Sequence, residues 1–228
     1  MTRPGWHHDL VMNQRSGQGS PDFGKGAVAE ALWISEVTFY CQAGYRHLIM
    51  SGAFEKFPRL KYVLTESGCA WVPAMLNSLD RIHRGLQAGA IGEMNYRDMQ
   101  WILKETPGFY AARNCYYGAS SPSIDDLNGI ERIGVDKVLW GNDYPHYEGT
   151  FPYNLDSLQL TFSGLSDSVR RKVLGENSAA LHQFDVEALS LLADQYGPIP
   201  SQLDTPLPRD RIPRDSTCCL FQQALYGI

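Results

Sequence analysis

Asp136-Lys-Val-Leu-Trp-Gly-Asn-Asp-Tyr-Pro-His-Tyr-Glu-Gly-Thr150 decides the fold. A short apolar run, Val138 to Trp140, stops abruptly at Gly141, Asn142 and Asp143. Strands of parallel sheets read as unbroken apolar runs because both faces are covered. Pro145 ends the strand, having no N–H to give a ladder, and His146 and Glu148 follow in the loop. In parallel α/β folds the chemistry sits at the carboxyl-terminal strand tips. Asp143 therefore stands where a metal ligand or an acid/base group would. The competing reading is an Asp that caps the turn beyond the strand.

Other segments share this form. Leu60 to Leu64 is rich in β-formers and ends in Thr65-Glu66-Ser67-Gly68. Leu10 to Met12 ends in Asn13-Gln14-Arg15-Ser16-Gly17, and a glycine-rich loop follows. A fourth strand is expected around Arg113 to Tyr117, ending in Gly118-Ala119-Ser120. The tips thus offer Arg15, Glu66 and Asp143 together. Convergence of polar residues from several tips is a stronger signal than any one of them.

Helical patterns separate these strands. Lys25 to Met50 is amphipathic, Pro73 to Gln87 carries Met75, Leu76, Leu79 and Ile82 on one face, and residues 88–95 read as a loop. Tyr96 to Glu105 reads as a short helix stopped by Thr106-Pro107-Gly108. Ser123 is the expected N-cap of a helix to Ile133 that Gly134 stops. Ser166 and Asn177 are read as caps of two later helices. His47 lies near a helix end, and His83 and His182 are expected at surface or boundary positions. The β-α alternation requires a parallel sheet with right-handed crossovers. Residues 1–195 form the expected domain. Residues 196–228 are a proline-rich tail, of which 196–215 cannot be a regular helix or central strand, while the short apolar end, Ser216 to Ile228, is covered by a partner or the barrel, or is unstructured.

With 228 residues, 43% hydrophobic and 20% charged, the chain can build one sizeable core. A net charge of −5 argues against a nucleic-acid partner. No apolar run approaches the ~20 residues that span a bilayer, and Met1 to Leu10 lacks a leader pattern. The five cysteines show no metal-knuckle spacing, which fits free thiols in a reducing cytosol. A cytoplasmic location is therefore expected. Cys218-Cys219 could alternatively act as a redox or metal pair.

The run Gly52-Ala-Phe-Glu-Lys-Phe-Pro-Arg-Leu-Lys61, with Thr65-Glu66-Ser67-Gly68 and Trp71-Val72-Pro73, resembles the amidohydrolase-related family. That family includes the aminocarboxymuconate-semialdehyde decarboxylase-like enzymes. Trp140 to His146 resembles its last-strand motif, Gly175 to Ala180 with Phe184-Asp185 its closing helix, and Gly17 to Asp22 the loop after its fifth strand. The resemblance spans roughly residues 10 to 185, in family order.

It implies a (β/α)8 TIM barrel, of which this chain supplies about four βα units, the second half. A closed barrel needs about 250 residues, and the His-x-His or Glu-x-His motif of the family's first strand does not occur. His7-His8 is adjacent rather than alternate and reads as a solvated pair. A fragment, a truncated product or a half-barrel that pairs is expected, as a homo-oligomer or with a missing N-terminal half.

The implied function is a metal-dependent hydrolase, or a non-oxidative decarboxylase, acting on a small organic substrate. Zinc or a similar divalent ion is the implied cofactor. Asp143 would ligate the metal or orient its water, and Glu66 would be general base or outer partner of the metal. His146, Arg15 and Trp71 would contact substrate. The other reading pairs Glu66 with Arg15 or Arg46 as a structural tie. Arg15 occupies the position where the family places a ligating histidine, and a guanidinium has no lone pair to donate. Asp143 alone holds a divalent ion poorly, so metal binding by this chain is expected to be weak or absent, and a catalytically impaired remnant or partner subunit is the alternative.

Overall fold

The computed structural model describes residues 26–91, 94–95 and 103–227. The Leu10 strand, Arg15 and the His7-His8 pair lie outside them. The chain divides into two compact units, one of residues 1–62 and 75–114, the other of 63–74 and 115–228.

In the first unit α1 (Ala27–Met50) buries Tyr45 and Ile49, and α2 (Ala53–Lys56) buries Phe54. The residues of α3 (Val72–Gln87) from Met75 onward add Leu79 and His83. His83 is 1% exposed, not a boundary residue, and its Nε2 lies 3.4 Å from the Leu103 carbonyl oxygen. The expected loop at 88–95 holds a short antiparallel pair, β2 (Ala90–Ile91) and β3 (Met94–Asn95).

A helix starts at Thr106-Pro107-Gly108, and most of the helix expected before it, Tyr96 to Ile102, lies outside the described residues. Pro107 opens α4 (Pro107–Asn114), the first helical position being one where the missing proline N–H costs nothing. Thr106 Oγ1 accepts from Phe109 N at 3.2 Å, and Asp80 Oδ1 accepts from Gly108 N at 2.8 Å. Arg113 accordingly ends a helix rather than beginning a strand, and Leu103 to Glu105 is not helical. Asn114, fully buried, donates from Nδ2 to the Pro58 and Leu60 carbonyls at 3.1 and 2.6 Å. The Tyr110 hydroxyl donates to Glu55 and accepts from Lys104 N and Glu105 N, holding the ends of this unit's polar core together.

The second unit carries a three-stranded sheet of order β1-β4-β5, from β1 (Tyr62–Thr65), β4 (Cys115–Ser120) and β5 (Val138–Gly141). β4 and β5 are parallel, with Tyr117 opposite Val138 and Ser120 opposite Gly141. Cys115, Tyr117 and Ala119 are buried, while the intervening residues are half-buried. Lys137 Nζ lies 4.7 Å from the centre of the Tyr116 ring. Gly118 is needed for close approach: a Cβ there would lie 3.1 Å from Thr65 Cγ2 and 3.3 Å from the Leu64 carbonyl oxygen.

Between β4 and β5, Ser123 caps α5 (Ile124–Asn128), and α6 (Ile130–Ile133) ends at Gly134. After α7 (Asn154–Phe162), Ser166 caps α8 (Asp167–Arg171) as expected. Asn177 is not a cap. A wide helical turn at Lys172–Glu176 carries the chain on into α9 (Asn177–His182). The buried Asn177 side chain donates to the Val135 and Val138 carbonyls at 2.7 and 2.8 Å, bolting the helix to β5.

α10 (Val186–Tyr196) follows, then the proline-rich segment, which makes two 3-10 turns before α11 (Cys219–Tyr226). This segment packs within the second unit. Leu207, Ile212, Leu220 and Phe221 form a cluster with Tyr153 and Leu160 of the α7 region. Arg170 pairs with Asp204, Arg211 with Asp156, and Gln159 Nε2 donates to the Gln202 carbonyl. All five cysteines are free thiols. Among the described residues no helix is long and apolar enough to cross a membrane.

Candidate metal centre at the sheet edge

Glu66 follows β1 directly, and Asp143 lies two residues beyond β5. Each strand ends where the backbone turns left-handed: φ is 59° at Glu66, 50° at Ser121 just past β4, and 62° at Asp143. The sheet ladder runs right up to these turns, with Glu66 N donating to Gly118 O at 3.1 Å and Ser121 N to Gly141 O at 2.8 Å. A non-glycine residue in this region is sterically disfavoured, and such residues gather at functional sites.

The loop after β5 is closed on itself. His146 N donates to Asp143 O at 2.8 Å, and Thr150 N to Asn142 O at 3.1 Å. Asn142 Oδ1 accepts from Tyr144 N at 3.2 Å, and the buried Thr150 hydroxyl donates to Asn154 Oδ1 at 2.7 Å. Gly149 makes this closure possible, since a Cβ there would sit 2.6 Å from the Asn142 carbonyl oxygen and 3.1 Å from that of His146.

The result is a cluster. One ligand atom each from Glu66, Asp143 and His146 lie within 4.8 Å of one another. Asp143 Oδ1 and His146 Nδ1 are 3.2 Å apart. Ligands about 2.1 Å from a tetrahedral metal stand roughly 3.4 Å apart, so this edge has the span of a coordination edge. Two carboxylates and one imidazole make a hard-to-borderline donor set suited to zinc or manganese. Three protein donors leave a position open for water or substrate.

The sequence-level candidates fall into three groups. Glu66, Asp143 and His146 are brought together. The Trp71 indole N–H donates to Ser67 O at 3.0 Å, in the turn that follows Glu66. Arg15 lies outside the described residues. Arg46 lies with its guanidinium 5.6 Å from the centre of the Phe39 ring.

Two supports escaped sequence reading. Asn154 and Thr150 brace the loop, and Asp126 braces the turn after Glu66. Asp126 Oδ1 accepts from Cys69 N at 2.6 Å and Ala70 N at 2.8 Å, while its Oδ2 accepts from Ser123 N and Oγ. Burial opposes ionisation of this carboxyl, but the bonds from Cys69, Ser123 and Ala70 outweigh it and hold its pKa below the ordinary value. Burial, reinforced by the Asp126 charge, pushes the Cys69 thiol far up and keeps it inert. The Ser123–Asp126 capping box was half visible as an N-cap. The reach of Asp126 back to Cys69 was not.

No curated protein matches the chain. Among solved structures, an amidohydrolase from Mycobacterium avium subsp. paratuberculosis K-10 is 21% identical with a TM-score of 0.56, over 82% of this chain and 41% of that one. The 2,6-dihydroxybenzoate decarboxylase from Rhizobium is 21% identical with a TM-score of 0.47, over 66% and 42%. A dihydroxybenzoic acid decarboxylase from Polaromonas sp. JS666, with bound manganese and 2-nitroresorcinol, is 22% identical with a TM-score of 0.46, over 65% and 40%. The chain thus spans about two fifths of the length of these structures. The first of them shares its fold. The family profile described as Amidohydrolase matches residues 40–184, well over half of the 228 residues, and on that match the chain belongs to the amidohydrolase family.

Proposed function

We propose that this chain is the metal-holding part of a (β/α)8 barrel of the amidohydrolase type, acting as a metal-dependent hydrolase or non-oxidative decarboxylase on a small organic substrate. The observation that carries this reading is the meeting of Glu66, Asp143 and His146 donors within 4.8 Å. A divalent ion held by the three would supply positive charge to polarise a carbonyl or carboxylate, and would acidify a water.

The chain's own residues do the rest. Asp143 Oδ1 and His146 Nδ1, 3.2 Å apart, would each turn a lone pair to the ion. Glu66 is the second carboxylate at the edge and can accept a proton as general base. The closed loop from Asn142 to Thr150 holds Asp143 and His146 in register.

Metal content decides. The stripped chain, equilibrated with zinc or manganese and desalted, should retain about one ion, and Asp143→Asn should lower affinity by about 10- to 100-fold. Wild-type protein that retains no stoichiometric ion would remove the basis of the reading.

A second reading is a catalytically impaired half-barrel or partner subunit. It draws on Arg15, which stands where the family resemblance expects a ligating histidine and has no lone pair for a metal. It predicts a metal-loaded chain without turnover of any small ester, amide or carboxylate.

A further inference from the structure

The proline-rich segment forms a wall beside the metal centre. A recess of about 400 Å³ opens next to His146. Tyr144, Tyr147 and Phe151 flank it on the loop side, and Asp215 and Thr217 on the other. Tyr144 and Phe151 meet edge to face at 5.1 Å. The Thr217 hydroxyl donates to the Tyr147 carbonyl at 2.5 Å, pinning the two sides together. Gln222 Nε2 donates to Ser216 O at 2.7 Å and fixes the segment from behind.

The chemistry of the walls is one-sided. The Tyr153 hydroxyl bridges both Asp215 oxygens at 2.9 and 2.8 Å. A phenol has one proton to give, whereas a carboxylate offers about four acceptor positions, so Asp215 keeps acceptor capacity. No Lys or Arg lines the recess. Arg211 pairs with Asp156 and Arg170 with Asp204. Aromatic faces carry negative potential and attract cations. An organic acid entering here would meet the Asp215 carboxylate and no Lys or Arg in the lining.

We propose that this recess takes a small organic cation, an ammonium or quaternary ammonium group on a hydrophobic body, so that the substrate of the adjoining Glu66–Asp143–His146 centre is amine-bearing. The binding half of this proposal stands on the recess alone. The substrate half rests on the function proposed above.

The test is an NMR titration of the full chain with benzyltrimethylammonium, benzoate and benzyl alcohol, with metal retention measured on the same samples. The cation should bind about fivefold or more tighter than benzoate. Asp215→Asn should weaken it about fivefold, and Tyr147→Ala about threefold. Tyr147 is 86% exposed, so its variant leaves the fold intact. Benzoate binding as tightly as the cation, no saturable cation binding, or an unchanged affinity in both variants would overturn the proposal. Cation binding in a chain that retains no metal would uphold the recess and remove only its link to turnover.

Discussion

Glu66 and Asp143 share one backbone state, φ 59° and 62°, at the ends of two strands of the same sheet, and their carboxylates meet there with His146. A left-handed residue with a Cβ costs about 1–2 kcal/mol. The sheet imposes that cost at both carboxylates, where side-chain placement rather than stability is served.

Glu66→Gly should therefore separate the two. Glycine removes the steric cost but adds chain entropy in the unfolded state, leaving a net gain of about 0.5–1 kcal/mol. Metal retention should fall about 10- to 100-fold in the same protein. Urea unfolding and metal analysis read the two effects side by side. A Glu66→Gly chain less stable than Glu66→Gln would show that the turn is not strained.

Gly149→Ala should act through the loop. The added methyl meets the Asn142 carbonyl oxygen at 2.6 Å, and backbone cannot yield as a flexible side-chain end can. Overpacking of this kind costs about 1–3 kcal/mol. Because Asn142 and His146 flank Asp143, metal retention should drop as well, although no ligand is altered. A variant with wild-type stability and wild-type metal content would refute this role for the glycine.

What the sequence disclosed follows a physical rule. β1 and β5 were legible because covered strands must be apolar runs, and the run breaks where the site begins at Glu66 and Asn142-Asp143. α4 was misread because proline is both a helix stop and a favoured first helical residue. Only the Thr106 Oγ1 bond to Phe109 N, and the Asp80 carboxylate beyond it, settle which. Asn177 looked like a cap because its side chain competes for backbone groups. It does bond to backbone, but to Val135 and Val138 on a distant stretch of chain. Asp126 and Asp215 share this feature in their bonds to Cys69, Ala70 and Tyr153: these partners are long-range, and no local pattern encodes them.

Asp126 makes the acid stability of the second unit predictable. Its folded pKa is depressed, so its contribution is complete above the unfolded value of about 3.9 and is lost as pH falls through the folded value. Asp126→Asn removes an acceptor from Cys69 N, Ala70 N or Ser123, and should cost about 3 kcal/mol at neutral pH. The gap between wild type and variant should stay constant above about pH 5 and close below about pH 4. Denaturant midpoints across that range measure it. A gap that widened in acid would mean the carboxyl is protonated in the folded protein.

The last expectation concerns α10. None of its residues, Val186 to Tyr196, is buried, and Val186, Leu189, Leu192 and Tyr196 are exposed along one face. Eleven residues form a marginal helix in water without packing to support them. The Asp185 cap, whose Oδ1 accepts from Ala188 N at 3.0 Å, is worth only about 1 kcal/mol. Helix α7 differs, burying Leu158 and Phe162. In hydrogen exchange of the dilute chain, amides of α10 should therefore open with a free energy near zero, while those of α7 approach the global value. Raising the protein concentration should leave both unchanged if the helix stays bare. Protection of α10 equal to that of α7 in the dilute chain would contradict the expectation. It would mean that Leu189 and Leu192 are covered.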